Sequence, residues 1–226
     1  MEEEFKLSET DYRAINLNDG NHFTNKGANL YNEDTFYKSV EYYRLGAALG
    51  EIHAISDLGY CYLYGRDIEQ NTSIAIAYFM IAGNKGDIDA LYKLGDIYGN
   101  DKWGVKDIEL SIYYYNKAAE ILLSDNNAPG IVHRSDLQRF PSLCFALGRE
   151  FSIDGHMPCD LDLSYQFLKH AEYGYKTALN NGDTFYKDVY NNLLEFIDRD
   201  CYDNIREHYN DEFYELYDSD VYEEDE

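Results

Sequence analysis

The sequence predicts an all-α protein, an α-α superhelix in which pairs of helices repeat along the chain. Three observations predict this fold: an internal repeat of 36 residues, only three prolines in 226 residues, and apolar side chains at helical spacing. A hydrophobic fraction of 45% is enough for a packed core. We therefore expect a short solenoid of about four helix-pair repeats, with an N-terminal half-repeat and a C-terminal capping helix.

The period of 36 residues is visible in both halves of the repeating unit. In the first half, aromatic positions recur one period apart, and small residues recur four positions later: Tyr42, Tyr78 and Tyr114, then Gly46, Ala82 and Ala118. In the second half, Leu58-Gly59 returns as Leu94-Gly95. A glycine inside a helix costs about 1 kcal/mol relative to alanine, so its repetition in register indicates close approach of helix backbones.

Each unit contains the pattern of two helices. Residues 36–48 place Val40 and Tyr43 on one face, and residues 52–64 do the same with Leu58. Gly50 lies between these segments and is predicted to end the first helix, because glycine accepts the left-handed backbone conformation found at helix C-termini.

These residues resemble a known family. The segment Tyr42–Gly50 (YYRLGAALG), followed by Ala54 and by Leu58–Gly65 (LGYCYLYG), is similar to a Sel-1-like repeat (SLR), a relative of the tetratricopeptide repeat. Gly104-Val105-Lys106-Asp107 resembles the link that leads into the next repeat of that family. The resemblance covers about residues 22–182. It implies an adaptor or scaffold that binds other proteins, as in bacterial signalling, host interaction and secretion.

Two departures from the repeat define the organisation of the chain. An insertion at about 124–141 precedes a second helix predicted at 143–151, and the next first helix is predicted at 163–173. The helix predicted at about 184–200 lacks the Leu-Gly pair and is expected to cap the solenoid. The predicted regions are an N-terminal extension (1–21), a repeat domain (22–200) and an acidic C-terminal tail (201–226).

The chain is strongly acidic, with a formal charge of −24 from 43 acidic and 19 basic side chains. Residues 211–226 hold nine acidic side chains and no basic one, which leaves 34 against 19 and a charge of −15 elsewhere. Such a field repels nucleic acids and anionic membranes and favours cationic partners. Solubility alone is the competing interpretation.

We find no catalytic or cofactor motif and expect no enzyme, no cofactor and no metal. The four cysteines form no CxxC pair, and Cys61 and Cys144 fall on predicted core faces. His156-Met157-Pro158-Cys159 has metal-binding residue types but lies where the family has an ordinary loop. MEEEFKLSET lacks the apolar core of a signal peptide, and we expect a monomeric cytoplasmic protein.

The leading functional hypothesis is a module that binds a partner protein or peptide in a groove lined by the first helices. The alternative is an acidic inhibitor, such as an immunity protein that neutralises a cationic toxin or a nucleic-acid-binding protein. Candidate partner-binding residues are the tyrosines of the first helices, a loop tryptophan and the basic side chains of the insertion: Tyr37, Tyr42, Tyr78, Trp103, Tyr113, Tyr114, His133, Arg134 and Arg139.

Overall fold

The computed structural model describes residues 5–32, 36–124 and 135–209, and within them every regular element is helical. The α-helices include α1 (Glu9–Asn16), α2 (Gly20–Asn32), α3 (Phe36–Ala48), α4 (Ile52–Tyr64), α5 (Thr72–Gly83), α6 (Ile88–Gly99), α7 (Ile108–Leu122), α8 (Pro141–Glu150), α9 (Leu161–Asn180) and α10 (Lys187–Ile197). Residues 203–209 are helical as well. Short 3-10 turns occupy Asp101–Trp103, Ser135–Arg139, Thr184–Tyr186 and Asp200–Tyr202. The predicted all-α class of paired helices is confirmed.

The observed helices match most of the predicted ones. Helices α3 and α4 have the predicted bounds. Helix α8 begins two residues earlier than predicted because Pro141 occupies its first turn, where a missing N–H is tolerated. Helix α9 runs to Asn180, well beyond the predicted end at 173. In the described part of the chain, no helix has both the length and the apolarity that crossing a bilayer requires.

The chain divides into two compact units, Met1–Tyr114 and Tyr115–Glu226. In the first unit, neighbours along the chain pack together: α2 on α3, α3 on α4, α4 on α5, and α5 on α6. Its core includes Phe79, Leu94 and Ile97, which are fully buried. In the second unit, α9 packs against both α8 and α10.

Helix ends recur in register as well. The side chains of Glu51 and Asp87, one period apart, accept hydrogen bonds from the backbone N–H groups of Ala54 and Ala90 at 2.7 and 2.9 Å. Each cap follows a glycine with positive φ, +82° at Gly50 and +94° at Gly86. The predicted helix end at Gly50 is therefore confirmed, and the turn between the two helices of a unit is specified locally.

The Leu-Gly glycines mark close helix contacts in both units. A Cβ atom on Gly59 would lie 2.8 Å from Cε1 of Phe79, and one on Gly148 would lie 2.6 Å from Cδ2 of Leu168. In each pair the partner lies 20 residues later, on the following first helix. These glycines let the next helix approach the backbone directly.

At two of the Leu-Gly pairs, a serine of the following first helix adds a hydrogen bond to the glycine. Ser111 donates its hydroxyl to the carbonyl oxygen of Gly95 at 2.8 Å, and Ser164 donates to that of Gly148 at 2.5 Å. Both serines are buried. A buried hydroxyl needs a partner, so these bonds fix the rotation of the first helix as well as its distance.

Helix α1 was not predicted and lies in the segment expected to be an extension. Its Asp11 is fully buried and accepts hydrogen bonds from Lys26 Nζ at 2.8 and 3.0 Å. Nε2 of His22 lies 2.7 Å from the same carboxylate. Burial alone would raise the pKa of Asp11, but the hydrogen bonds from Lys26, Ser8 and His22 outweigh it and hold that pKa well below its usual range. The network ties α1 to α2.

We predict that Gly59→Ala destabilises the protein by about 1–3 kcal/mol, because the added Cβ overpacks against the buried ring of Phe79. Urea unfolding followed by circular dichroism measures this effect. The sign of the change in the free energy of unfolding is decisive, since a glycine-to-alanine substitution in an uncrowded helix stabilises by about 1 kcal/mol. A stabilised variant would contradict the close contact.

We also predict that Asp11→Asn lowers the free energy of unfolding at pH 7 by about 1.5–3 kcal/mol, the usual contribution of hydrogen bonds to a charged group. Because the pKa of Asp11 is depressed in the folded state, its contribution is present above about pH 4 and declines as the pH falls below that value. The difference between wild type and variant should therefore shrink in acid. A difference that is constant from pH 7 to pH 2 would refute the buried charged network.

Candidate partner-binding surface

Helix α5 is apolar around its whole circumference. Its inner side is buried through Ala75, Phe79 and Ala82. Its outer side exposes Ile74, Met80 and Ile81, with Ile81 49% exposed. A helix that is hydrophobic on all sides is normally buried on all sides. The outer side of α5 is thus a candidate contact surface for a partner.

The beginning of α7 continues the same apolar pattern. Leu110 and Tyr113 stand one period after Ile74 and Ala77, and Tyr113 is 48% exposed. We call the exposed set the first-helix surface; it consists of Ile74, Met80, Ile81, Leu110 and Tyr113. All five residues belong to the first unit.

Several of the equivalent positions on α3 are charged, so the apolar pattern has a polar edge. Lys38 and Glu41 stand one period before Ile74 and Ala77. Glu41 forms an exposed ion pair with Arg44 on the same helix. Exposed pairs of this kind contribute little to stability, but they mark where apolar contacts end.

Stacked tyrosines support the first helices from behind. Tyr78 of α5 stacks on Tyr62 of α4 with ring centroids 5.6 Å apart, and one period later Tyr114 stacks on Tyr98 at 5.8 Å. Tyr78 and Tyr114 are half-buried and pack against the core. Their rings therefore help to position the first-helix surface.

Two of the predicted partner-binding residues, Tyr42 and Trp103, are buried in the structure. Tyr42 is 7% exposed: its ring packs between Phe5 and Phe23. Trp103 is 9% exposed because its indole packs edge-on against Tyr64. Both side chains fill the core, where a large aromatic ring buries more apolar area than any alternative.

The other predicted residues lie in several places. Tyr37 is half-buried, with Lys38 Nζ 5.5 Å from its ring centroid, whereas Tyr113 is exposed and stays a candidate. Arg139 belongs to the second unit, where it is exposed at an open pocket of about 580 Å³ also lined by Thr177. His133 and Arg134 fall outside the described residues, so their assignment remains a prediction.

Sequence reasoning missed Ile74, Met80, Ile81 and Leu110. Their signal is the absence of a pattern: the segment TSIAIAYFMIAG has no polar face after its first two residues. The predicted surface residues were aromatic or basic, because tyrosine is unusually frequent in this sequence. Exposed aliphatic residues of α5 and α7 were not among them.

Two of the four thiols are buried among the described residues. Cys61 and Cys144 are buried, as predicted. Burial, together with the charge of Asp57, raises the pKa of Cys61 to about 12 and keeps its thiol protonated. Nδ1 of His156 lies 2.9 Å from Glu150. The described side chains include no group of three or more His, Cys, Asp or Glu arranged to hold a metal ion.

Comparison with protein families identifies the repeats. Residues 34–51, 52–87 and 88–120 match the family model of the Sel1 repeat. No curated protein shows significant similarity to the chain.

Two solved structures are similar to this chain. The chain is 19% identical to a Sel1 repeat protein from Oxalobacter formigenes, with a TM-score of 0.55 over 71% of this chain and 59% of that one. It is 16% identical to c5321, a protective antigen of uropathogenic Escherichia coli with an SLR fold, with a TM-score of 0.46 over 92% of this chain and 56% of that one. The chain thus spans less than two thirds of either protein's length. The match to the Sel1 repeat thus extends from residue 34 to residue 120 of this chain.

Proposed function

We propose that this protein is a non-catalytic binding module that recruits a partner protein through the first-helix surface. The observation that carries the proposal is the exposure of Ile74, Met80 and Ile81 on a helix that has no polar face. Sel1 repeats generally serve as scaffolds for protein–protein interaction. The four cysteines are free thiols, which suits a monomeric adaptor in a reducing cytoplasm.

The chemistry of the surface defines the partner segment. Aliphatic side chains and a tyrosine offer apolar area with few hydrogen-bond donors, so the segment should present apolar side chains, as an amphipathic helix does. Tyr113 adds a large contact area with little loss of rotamer freedom. The Glu41–Arg44 ion pair on α3 forms the polar edge of the apolar pattern. It suits a partner segment whose corresponding end is polar.

A second candidate function is neutralisation of a cationic partner by an acidic inhibitor or immunity-type protein. The net charge of −24 favours it, because an acidic surface accelerates encounter with a basic target. The two functions differ in their response to salt. Apolar contact persists at high ionic strength, whereas long-range attraction is screened within about 8 Å at physiological salt.

The test of the leading proposal is affinity capture from the native host's lysate with wild type, Ile81→Glu and a control, Leu17→Glu. Leu17 is an exposed residue at the end of α1, so the control adds the same charge away from the first-helix surface. We expect wild type and Leu17→Glu to retain the same protein and Ile81→Glu to retain at least ten-fold less. Equal recovery by all three proteins would refute the proposal.

Repeating the capture at high salt separates the two candidates. A partner that Ile81→Glu loses and that survives about 0.5 M salt, where the screening length is only several ångströms, supports apolar docking. A basic partner released by salt and unaffected by Ile81→Glu would instead support the inhibitor.

A further inference from the structure

Two of the four cysteines lie on neighbouring segments of the second unit. Cys159 is exposed and stands just before α9, in a stretch without regular structure. Cys201 is half-buried on the 3-10 turn Asp200–Tyr202, which follows α10. This turn packs against α9. The fold therefore brings together two thiol-bearing segments that α9 and α10 separate in the sequence.

An ion pair joins these two segments directly. Nη1 of Arg199 donates to Oδ2 of Asp154 at 2.9 Å. Asp154 belongs to the loop between α8 and α9 that also contains Cys159, and Arg199 lies two residues before Cys201. Exposed ion pairs of this kind stabilise a fold only a little. This one nevertheless shows that the loop and the turn are adjacent.

A buried tyrosine holds the turn more firmly. Tyr202, the residue after Cys201, is fully buried. Its hydroxyl oxygen lies 2.7 Å from that of Ser164, and its ring centroid lies 5.7 Å from that of Tyr165. Moving Tyr202 away would expose its ring and break a buried hydrogen bond. Cys201 is therefore held beside the start of α9.

The two thiols are also within electrostatic reach of each other. Burial raises the pKa of Cys201; Arg199 opposes this rise, whereas Asp154 and Cys159 add to it. Charges near a protein surface are largely screened beyond about 10 Å at 0.1 M salt, so an effect of Cys159 on Cys201 places their side chains within roughly that distance. Neither residue lies in a long helix, and small backbone adjustments can therefore supply the geometry that a disulfide needs.

The other two cysteines are less accessible than this pair. Cys61 is buried in the first unit. Cys144 is buried on α8, where its Sγ donates to the carbonyl oxygen of Leu137 at 3.4 Å. In the part of the chain that the structure describes, no further His, Cys, Asp or Glu joins the exposed pair in a metal-ligand set.

We propose that Cys159 and Cys201 are a thiol modification site, at which a low-molecular-weight disulfide such as oxidised glutathione converts the two thiols into an internal disulfide bond. The thiolate of the exposed Cys159 attacks one sulfur of the reagent and releases one glutathione thiolate. The thiolate of Cys201 then attacks the Cys159 sulfur of this mixed disulfide and releases the second glutathione. The protons of the two protein thiols end on the two glutathione molecules, so the protein is oxidised and the reagent is reduced.

The bond would fasten the end of α10 to the start of α9. The segment that it closes contains both helices, and closing it restricts the unfolded chain. In reducing surroundings the thiols stay free, and the noncovalent contacts of Arg199 and Tyr202 hold the turn. The end of the second unit thus resists local opening more strongly in oxidising surroundings. The site is separate from the first-helix surface, which belongs to the first unit.

Equilibration of the full chain with oxidised glutathione and about 0.1 mM reduced glutathione, followed by acid quenching and peptide mass mapping, tests the proposal. Two thiols held together in a folded protein have an effective concentration on the order of 1 mM or more. We therefore expect the internal disulfide of wild type to exceed its mixed disulfides by at least about ten-fold. Cys159→Ser and Cys201→Ser should form no internal disulfide, and Cys61 and Cys144 should stay reduced.

Hydrogen exchange of oxidised and reduced wild type measures the fastening of α10 without any variant. The amides of residues 187–202 should exchange more slowly in the oxidised protein. Three outcomes would overturn the proposal: mixed disulfides at both cysteines without an internal bond, disulfides between two copies of the chain in place of the internal one, or equal exchange in both forms. Ile81→Glu should form the bond as wild type does, so failure here leaves the proposed function separately testable.

Discussion

In both units, a first helix packs directly against a glycine of a preceding second helix. Phe79 lies over Gly59 in the first unit, and Leu168 lies over Gly148 in the second. Only a residue without a side chain allows this distance. On α7 and α9, serine-to-carbonyl hydrogen bonds also fix the rotation of the first helix. On α5, which has Ala75 at the serine position, the contact of Phe79 with Gly59 determines which side of the helix faces inward and which side carries the first-helix surface.

Much of the fold could be predicted because its determinants are local. Gly50 ends α3 and Glu51 begins α4, so these helices have the predicted bounds. Helix α1 could not be predicted in the same way. Its sequence is polar, and its packing depends on the buried carboxylate of Asp11 meeting Lys26 and His22 of α2. These partners lie 11 and 15 positions after Asp11 in the sequence. A single contact at such a separation produces no periodic pattern.

The binding surface was harder to predict than the fold. Tyrosine packs its ring and keeps its hydroxyl near water, so composition alone does not separate Tyr42, which is buried, from Tyr113, which is exposed. The exposed aliphatic residues of α5 are indistinguishable in sequence from its buried ones. Deciding between them requires knowing which side of α5 meets α4 and α6, and that is a property of the tertiary structure.

We propose that binding depends on an apolar surface on the first helices rather than on the acidity of the chain as a whole. A photo-crosslinking amino acid placed at Ile81, compared with one at Leu17, tests this claim most directly in the native host. The account predicts a discrete crosslinked adduct from position 81 and none of the same mass from position 17. An adduct from position 17 alone, or the same adduct from both positions, would contradict it.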